Sequence, residues 1–204
     1  MKKTLYLMRH GETLFNLQGK KQGWCDSPLT ERGRAQATIA KAYFEEKDIR
    51  FTAAFSSTSE RACDTLEIIT DCPYQRVKEL KEWHFGSLEG EHEYLNPPLP
   101  YGDYFIQFGG EGEAAFHERF TSAVRALVEK TESDTILIVA HGAACAQFMR
   151  GRFIKNHDTS YEQSRGMKNC SIVKFEIDEG AFTFVEKISH DFSVLDSLSD
   201  EDKR

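Results

Sequence analysis

The sequence predicts an α/β protein, a three-layer α/β/α sandwich built on a mainly parallel sheet. Apolar runs typical of buried strands, at residues 5–8, 53–55 and 135–140, alternate with segments whose apolar residues recur at helical spacing. Strands that alternate with helices favour parallel pairing, with helices packed on both faces of the sheet. At 204 residues the chain can bury one sizeable core, so we expect a single domain over residues 1–204.

Four helical segments account for the layers that would cover this sheet. Residues 30–47 and 111–130 each place apolar side chains on one face. A third helix should begin after Thr58 or Ser59, either of which can cap its first turn, and residues 143–150 are compatible with a fourth.

The remaining segments add an edge, a loop and a tail. Alternating residues at 171–177 and 181–188, on either side of Asp178-Glu179-Gly180, predict a β-hairpin at one edge of the sheet. Residues from about 87 to 112 form an inserted loop region. The polar, acidic stretch 196–204 is expected to fray.

Two histidines directly follow buried strands. Arg9-His10-Gly11-Glu12 comes after residues 5–8, and His141-Gly142 comes after residues 135–140. Because ligands of open α/β sheets bind outside the carboxyl ends of the strands, we expect both histidines to be accessible there. An imidazole can attack phosphorus when an arginine such as Arg9 neutralises the phosphoryl oxygens. Taken alone, Arg-His-Gly is equally compatible with a hydrogen-bonded structural histidine.

Two further charged residues have surroundings suited to phosphate chemistry. Arg61 falls in the first turn of the predicted third helix, where backbone N–H groups already favour an anion. The simpler alternative is a surface ion pair with Glu60 or Asp64. Glu82 stands among aromatic and apolar residues, and such surroundings raise a carboxyl pKa toward the range useful for proton transfer.

Together these motifs resemble the histidine phosphatase superfamily, in its phosphoglycerate mutase-like branch. No single motif is highly specific, but five occur in the family's order and cover most of the chain from residue 4 to about 150. They are Arg9-His10-Gly11-Glu12-Thr13 with Asn16; Gln22-Gly23-Trp24 with Asp26-Ser27-Pro28-Leu29-Thr30; Ser56-Ser57 with Arg61-Ala62 and Thr65; Glu82 with Phe85-Gly86 and Glu89-Gly90; and Ala140-His141-Gly142.

The resemblance implies a phosphohistidine mechanism. His10 would attack the phosphoryl group, while Glu82 would protonate the departing alcohol and then activate the water that releases phosphate. Glu79 or Glu89 could take the acid role instead, since both are close in sequence. The residues implied to bind the phosphoryl oxygens and neutralise their charge are Arg9, Arg61 and His141.

The resemblance also implies substrate-binding residues, namely Asn16, Gln22, Gly23 and Gly142. Asn16 would add a hydrogen bond and Gln22 would line the pocket, unless these amides only hold the backbone of their own loop. The family often carries an arginine after this loop. Because this chain has Lys20-Lys21 there, ligand contact at these two positions stays open.

Composition limits the possible partners. The formal net charge of -7 argues against nucleic acid, which would need a basic face. The chain has no apolar run of membrane-spanning length and its start does not read as a signal peptide, so we expect a cytoplasmic protein. Five cysteines without Cys-x-x-Cys spacing are expected to be reduced and mostly buried. A monomer and a homodimer are both compatible with the sequence.

We expect neither a metal nor a cofactor. His84, His92 and His117 match no compact ligand motif, and no thiol joins them. Gly109-Gly110-Glu111-Gly112 lacks the glycine spacing and the flanking strand and helix of a dinucleotide fingerprint.

Three functions remain open on the sequence. The preferred one is a phosphomonoester hydrolase acting on a small phosphorylated substrate; the alternatives are a phosphoglycerate mutase and a non-catalytic phospholigand-binding module. A mutase must fix a carboxylate and a second phosphate, which requires additional cations. Residues 83–118, which include the insertion expected over the active site, contain no lysine or arginine, although Lys20, Lys21 or Arg165 could still reach in. The aromatic residues of this segment suit a planar or apolar leaving group, or form a small core of the loop itself.

Overall fold

A six-stranded sheet lies at the centre of the protein, whose computed structural model describes residues 2–156 and 166–196. The strands are β1 (Lys3–Arg9), β2 (Ala53–Ser57), β3 (Tyr74–Val77), β4 (Thr135–Ala140), β5 (Ile172–Asp178) and β6 (Ala181–Ile188). Their order is β3-β2-β4-β1-β5-β6, parallel from β3 to β1 and antiparallel for β5 and β6. The predicted mainly parallel sheet is confirmed.

Helices cover both faces of this sheet, which confirms the three-layer arrangement. The helices are α1 (Leu14–Leu17), α2 (Glu31–Glu46), α3 (Glu60–Ile69), α4 (Glu113–Lys130) and α5 (Gly142–Met149). Successive residues of β1 point to opposite faces, because side chains alternate along a strand. Leu5 and Leu7 join the core with α4 and α5, whereas Tyr6 and Met8 join the core with α2 and α3.

The first turns of α2 and α3 differ in which group accepts their free backbone N–H. Thr30 caps α2, because its hydroxyl accepts a first-turn backbone N–H at 2.9 Å. Ser59 stands at the N-cap of α3, but its side chain makes no capping bond. The Asp26 carboxylate, from a distant loop, accepts the N–H of Glu60 at 2.6 Å instead. The prediction that Thr58 or Ser59 caps this helix with its side chain is therefore wrong.

The predicted C-terminal hairpin is confirmed at the β6 edge of the sheet. Strands β5 and β6 are joined by Glu179-Gly180, whose φ angles of 48° and 79° are both positive, as a tight hairpin turn requires. The first strand begins at Ile172, one residue later than expected. Of the tail at 196–204, only Asp196 lies within the described residues.

The insertion at 87–112 carries short 3₁₀ turns, the longest at Tyr104–Phe108. Tyr101 and Phe105 are buried, and their rings lie 5.6 and 5.7 Å from the ring of Trp83. Tyr101 and Phe105 therefore pack into the core on the α4 side of the sheet, whereas Tyr94 is exposed. None of the described helices has the length and apolar character needed to cross a bilayer.

Candidate active site

The two strand-end histidines meet at the carboxyl ends of β1 and β4. These strands are parallel neighbours that pair Arg9 with Ala140, so the residues that follow, His10 and His141, emerge side by side. The centroids of their imidazole rings are 5.4 Å apart. The topology of the sheet thus brings together two residues that are far apart in the chain.

His10 is buried and held in one orientation. Its Nδ1 lies 2.7 Å from the carbonyl oxygen of Gly11, so Nδ1 carries the proton and Nε2 keeps its lone pair. Nε2 accepts a hydrogen bond from Nε of Arg61 at 3.2 Å. Burial, followed by the charges of Arg61 and Arg9, lowers the pKa of His10 well below its usual 6.5. The imidazole is therefore neutral at neutral pH, with Nε2 available as a nucleophile.

Arg61 is fully buried and uses every N–H of its guanidinium. Nε faces His10, as described above. The other four N–H groups donate to one loop, at Gln22 O (3.1 Å), Gly23 O (3.0 Å), Cys25 O (3.0 Å) and Asp26 Oδ1 (2.8 Å). The alternative of a surface ion pair with Glu60 or Asp64 is thus wrong. The planar fork of Arg61 is fixed before any ligand arrives.

Glu89 holds the same loop from the other side. Its carboxylate accepts backbone N–H groups from four residues: Gly23 (3.0 Å), Trp24 (2.8 Å), Cys25 (3.2 Å) and Phe85 (3.1 Å). Both oxygens of Glu89 are thus taken by backbone donors, and the residue holds the loop. Glu79 is exposed on a 3₁₀ turn at 78–80, so Glu82 is the better acid candidate.

Glu82 is buried at the start of α5. Oε1 accepts the N–H groups of Trp83 and Ala144, both at 2.9 Å, and Oε2 accepts the N–H of Ala143 at 2.8 Å. Three of about four lone-pair positions are occupied, so one on Oε2 remains for a proton. Burial raises the pKa of this carboxyl, although the N–H bonds from Trp83 and Ala143 oppose the shift. A raised pKa suits a group that must exchange a proton during catalysis.

Arg9 and His141 each leave one buried nitrogen without a partner among the described residues. Nη1 of Arg9 donates to the carbonyl oxygen of Met167, but Nε does not donate to any described group. Nε2 of His141 lies 2.8 Å from the hydroxyl of Ser57, and Nδ1 is unpaired. Burial is the largest cause of the pKa of His141 lying well below 6.5. Because buried polar groups normally find partners, these two nitrogens are candidates for contact with a ligand.

A cavity of about 290 Å³ opens beside these groups. Arg9, His10, Glu82 and Gly142 line it, together with Asn16 and Gln22. Gly23 is not one of the lining residues. Its carbonyl oxygen accepts a hydrogen bond from Arg61. A side chain does not fit at this position, because a Cβ would lie 2.1 Å from the Trp83 carbonyl oxygen.

The two amides also bond within the protein. Oδ1 of Asn16 accepts from the side chain of Asn169 at 3.1 Å, and Oε1 of Gln22 accepts from the hydroxyl of Thr13 at 2.6 Å. The backbone-holding alternative weighed for these residues therefore describes much of their bonding. Each still presents part of its side chain to the cavity.

Several lining residues were not identified from the sequence. Glu93, Asn96 and Tyr101 come from the insertion, and Lys168 comes from the segment after the gap at 157–165. They belong to no motif and no periodic pattern, so only the folded loops bring them to the site. Asp26 and Ser57, which bond to Arg61 and His141, do fall within quoted motifs.

The sequence left open whether Lys20, Lys21 or Arg165 reaches the cavity. Lys21 lines the cavity, is almost fully buried, and donates from Nζ to the carbonyl oxygen of His92 at 2.7 Å. Lys20 is not part of the lining, and its ammonium lies over the ring of Phe15. Arg165 lies outside the described residues.

Within the described ranges, no group of three or more His, Cys, Asp or Glu side chains could hold a metal ion. All five cysteines are free, and Cys63, Cys145 and Cys170 are buried. Arg9 and Arg61 are the two arginines next to His10, and their charges lower its pKa.

A buried strand-end histidine beside two arginines, at the carboxyl edge of the sheet, defines a class of α/β proteins whose site can hold an anionic group. More particularly, the model of the histidine phosphatase superfamily, branch 1, matches residues 5–189, and the chain belongs to that family. The resemblance stated from the motifs is confirmed.

Two curated relatives represent both activities considered above. The chain is 34% identical over 152 residues to a metal-independent phosphoserine phosphatase of Arabidopsis thaliana, covering 68% of this chain and 63% of the relative. It is also 34% identical over 131 residues to a 2,3-bisphosphoglycerate-dependent phosphoglycerate mutase of Dichelobacter nodosus, covering 61% and 50%. The chain thus spans less than two thirds of the length of each relative.

Solved structures show the same division. A phosphoglycerate mutase from Bacillus anthracis str. Sterne superposes with a TM-score of 0.79 at 27% identity, covering 100% of this chain and 97% of that one. An alpha-ribazole phosphatase from Shigella flexneri gives 0.75 at 27% identity, covering 91% and 96%. Both share the fold described above.

Proposed function

We propose that this protein hydrolyses phosphomonoesters of small molecules through a phosphohistidine intermediate at His10. The observation that carries the proposal is the state of the His10 imidazole: Nδ1 is tied to the Gly11 carbonyl, the ring is kept neutral, and Nε2 accepts a hydrogen bond from Arg61. His10 and Glu82 both line the same cavity. The family and its phosphatase members support the reaction class.

In the first step, Nε2 of His10 attacks phosphorus and forms the N–P bond as the bond to the leaving alcohol breaks. The proton of Glu82 moves to the departing oxygen, so the alcohol leaves neutral. Once Nε2 is bonded to phosphorus it no longer accepts the Nε–H of Arg61, which is then free to bond a phosphoryl oxygen. We assign the remaining oxygens to Nε of Arg9 and Nδ1 of His141, since both nitrogens are unpaired among the described residues.

In the second step, water attacks the phosphohistidine. The Glu82 carboxylate takes a proton from that water as the new P–O bond forms and the N–P bond breaks. His10 regains its lone pair, inorganic phosphate leaves, and Glu82 is protonated for another cycle. Because the charged phosphoryl group is met by fixed donors, positioning and electrostatics supply most of the rate enhancement.

The second candidate is a phosphoglycerate mutase, and Lys21 and Lys168 favour it because they add cations to the cavity. Against it, the insertion contributes Glu93 to the same cavity and no cation. A carboxylate there repels a second anionic group. We therefore favour hydrolysis of the phosphate ester over transfer of the phosphoryl group to another hydroxyl.

The experiment is a product analysis with 3-phosphoglycerate and p-nitrophenyl phosphate, with and without 2,3-bisphosphoglycerate and with EDTA present. We expect inorganic phosphate from at least one of the two esters, no dependence on the bisphosphate, and no effect of EDTA, since arginines replace a metal at the phosphoryl group. Interconversion of 2- and 3-phosphoglycerate that exceeds phosphate release by orders of magnitude would identify a mutase. Loss of activity in EDTA that a divalent ion restores would reject the metal-independent mechanism.

The other expectations stay predictions. They are a cytoplasmic location, a monomer or homodimer, and the absence of a nucleic-acid partner. A non-catalytic role is disfavoured because a binding module has no use for the nucleophile and the acid together.

A further inference from the structure

The insertion supplies the cavity with hydrogen-bond acceptors. Glu93 and Asn96 both line it. Oδ1 of Asn96 is buried and has no hydrogen-bond partner among the described residues. The Glu93 carboxylate likewise makes neither a hydrogen bond nor an ion pair with any residue of the described ranges, and it is exposed. The insertion therefore supplies the cavity lining with two acceptors that have no donor among the described residues.

The Glu93 charge acts within the cavity. Burial lowers the pKa of Arg9 and of Lys21, and nearby carboxylates oppose that shift: Glu82 and then Glu93 at Arg9, Glu91 and then Glu93 at Lys21. Glu93 is thus close enough to influence the arginine beside the nucleophile and the lysine of the neighbouring loop, without forming a direct ion pair with either. A group that enters the cavity meets the negative charge of Glu93 and the positive charges of Arg9 and Lys21, whose ammonium is already bonded to the His92 carbonyl oxygen.

A ligand that satisfies both sides must itself carry two kinds of charge. Its phosphoryl group belongs with His10 and Arg9. The part that leaves must offer N–H donors and a positive charge to Glu93 and Asn96, because a hydroxyl would satisfy the amide oxygen but leave the carboxylate charge unpaired. A second phosphate at this position would be repelled.

We propose that the leaving group of the substrate carries an ammonium, bound by Glu93 and Asn96, so that the substrate class is the phosphate esters of amino alcohols and hydroxyamino acids. This inference rests on the proposed function. For a hydroxyamino acid, the exposed ammonium of Lys168, also at the cavity, is available to the carboxylate. Glu93 and Asn96 then determine specificity, and they take no part in phosphoryl transfer.

The test compares O-phosphoserine with 3-phosphoglycerate, which share the phosphate ester and the carboxylate and differ in carrying an ammonium or a hydroxyl. A hydrogen bond to a charged group predicts a ratio of kcat/KM of about ten to one hundred in favour of phosphoserine. O-Phosphoethanolamine against 2-hydroxyethyl phosphate repeats the comparison without a carboxylate. Both members of each pair are measured on one preparation, so partial misfolding cancels from the ratio.

Glu93→Gln removes the charge and keeps the shape, and it should bring both ratios close to one. Glu91→Gln is the matched control, since Glu91 is an exposed acid two residues away that does not line the cavity, and it should leave the ratios and the basal activity unchanged. Asn96→Leu should lower the ratios by a smaller factor.

Three results would overturn the inference: equal rates for both members of each pair in the wild type, a preference that survives in Glu93→Gln, or an equal loss in Glu91→Gln. Hydrolysis of p-nitrophenyl phosphate separates this failure from that of the proposed function. If the aryl ester is cleaved while the ratios are one, only the substrate class is wrong. If none of the esters is cleaved, hydrolysis itself is wrong and the inference falls with it.

Discussion

The two walls of the cavity are built in opposite ways. On the strand side, His10, Arg61 and Glu82 are buried and held by hydrogen bonds to backbone groups or to one another. On the insertion side, Glu93 is exposed, and Asn96 has a buried oxygen without a partner among the described residues. The strand side is thus mostly fixed by internal bonds and leaves Nε of Arg9 and Nδ1 of His141 for a ligand, whereas neither acceptor side chain of the insertion side is fixed in this way.

This difference corresponds to the two tasks of the proposed phosphomonoesterase, which are phosphoryl transfer and recognition of the leaving group. Phosphoryl transfer depends on groups fixed before the substrate arrives, and misplacement of such groups is costly. Recognition of the leaving group needs only a few polar contacts, which a loop can supply and change. We infer that the strand side determines the reaction and that the insertion determines which ester is used.

The largest effect is expected for His10→Ala. Removing the nucleophile should lower kcat by about 10⁴-fold or more for every ester, whatever its leaving group, because no covalent intermediate can form. Steady-state phosphate release on the alkyl and aryl substrates measures this. Near-normal turnover on either substrate would show that the strand side does not use His10 as proposed.

Glu82→Gln should separate substrates by leaving group. The amide cannot donate a proton, so alkyl esters should lose about 10²–10⁴-fold in kcat/KM, while p-nitrophenyl phosphate, whose leaving group needs little protonation, should lose much less. Parallel assays of the two esters measure the difference. Equal losses, with the phosphorylation step limiting in both, would assign the proton to another group.

The pH dependence should follow the two pKa shifts. His10 must be neutral to attack, and its lowered pKa moves the acidic loss of activity well below pH 6.5. Glu82 must be protonated to donate, so activity on alkyl esters should fall as pH rises through its raised pKa, by about tenfold per pH unit. Where both esters are dianions, the ratio of alkyl to aryl kcat/KM is free of substrate ionisation. A ratio that stays flat, or one that falls identically in Glu82→Gln, would contradict this assignment.

A smaller effect is expected for Glu89→Gln. An amide offers one oxygen where four N–H groups need acceptors, so the loop at 22–26 should shift and the frame around Arg61 should loosen. We expect roughly tenfold lower kcat/KM and weaker inhibition by vanadate, an analogue of the transition state. Glu79→Gln, at an exposed position, is the control. Unchanged vanadate inhibition together with a lowered melting temperature would mean that Glu89 serves stability alone.

The sequence predicted the strand side better than the insertion. Hydrophobic periodicity located β1 and β4, and the sheet rule then placed His10 and His141 at one edge. The neutral state of His10 could not be predicted from the sequence. It depends on burial and on the charge of Arg61, which lies in helix α3. The mistaken cap of α3 has a similar cause: local residues suggested Ser59, but a distant carboxylate, Asp26, takes the N–H.

For the insertion, the charge of the segment could be read from the sequence, but the positions of its side chains could not. The lack of lysine and arginine at 83–118 was visible, yet which acid faces the cavity depends on how irregular turns fold. Glu93 lines the cavity while Glu91 does not. The aromatic residues show the same limit, since composition allowed a substrate surface or a core, and packing of Tyr101 and Phe105 on Trp83 made a core.

The central claim, that the strand side forms phosphohistidine whatever the leaving group, is tested most directly by trapping the intermediate. Wild-type protein mixed with p-nitrophenyl phosphate or O-phosphoserine would be quenched within milliseconds in base and mapped by peptide mass spectrometry. We predict one phosphoryl group on His10 from both esters, stable in base and lost in acid, and none in His10→Ala. Phosphate released at full rate without any label on His10, or label on another residue that persists in His10→Ala, would contradict the account.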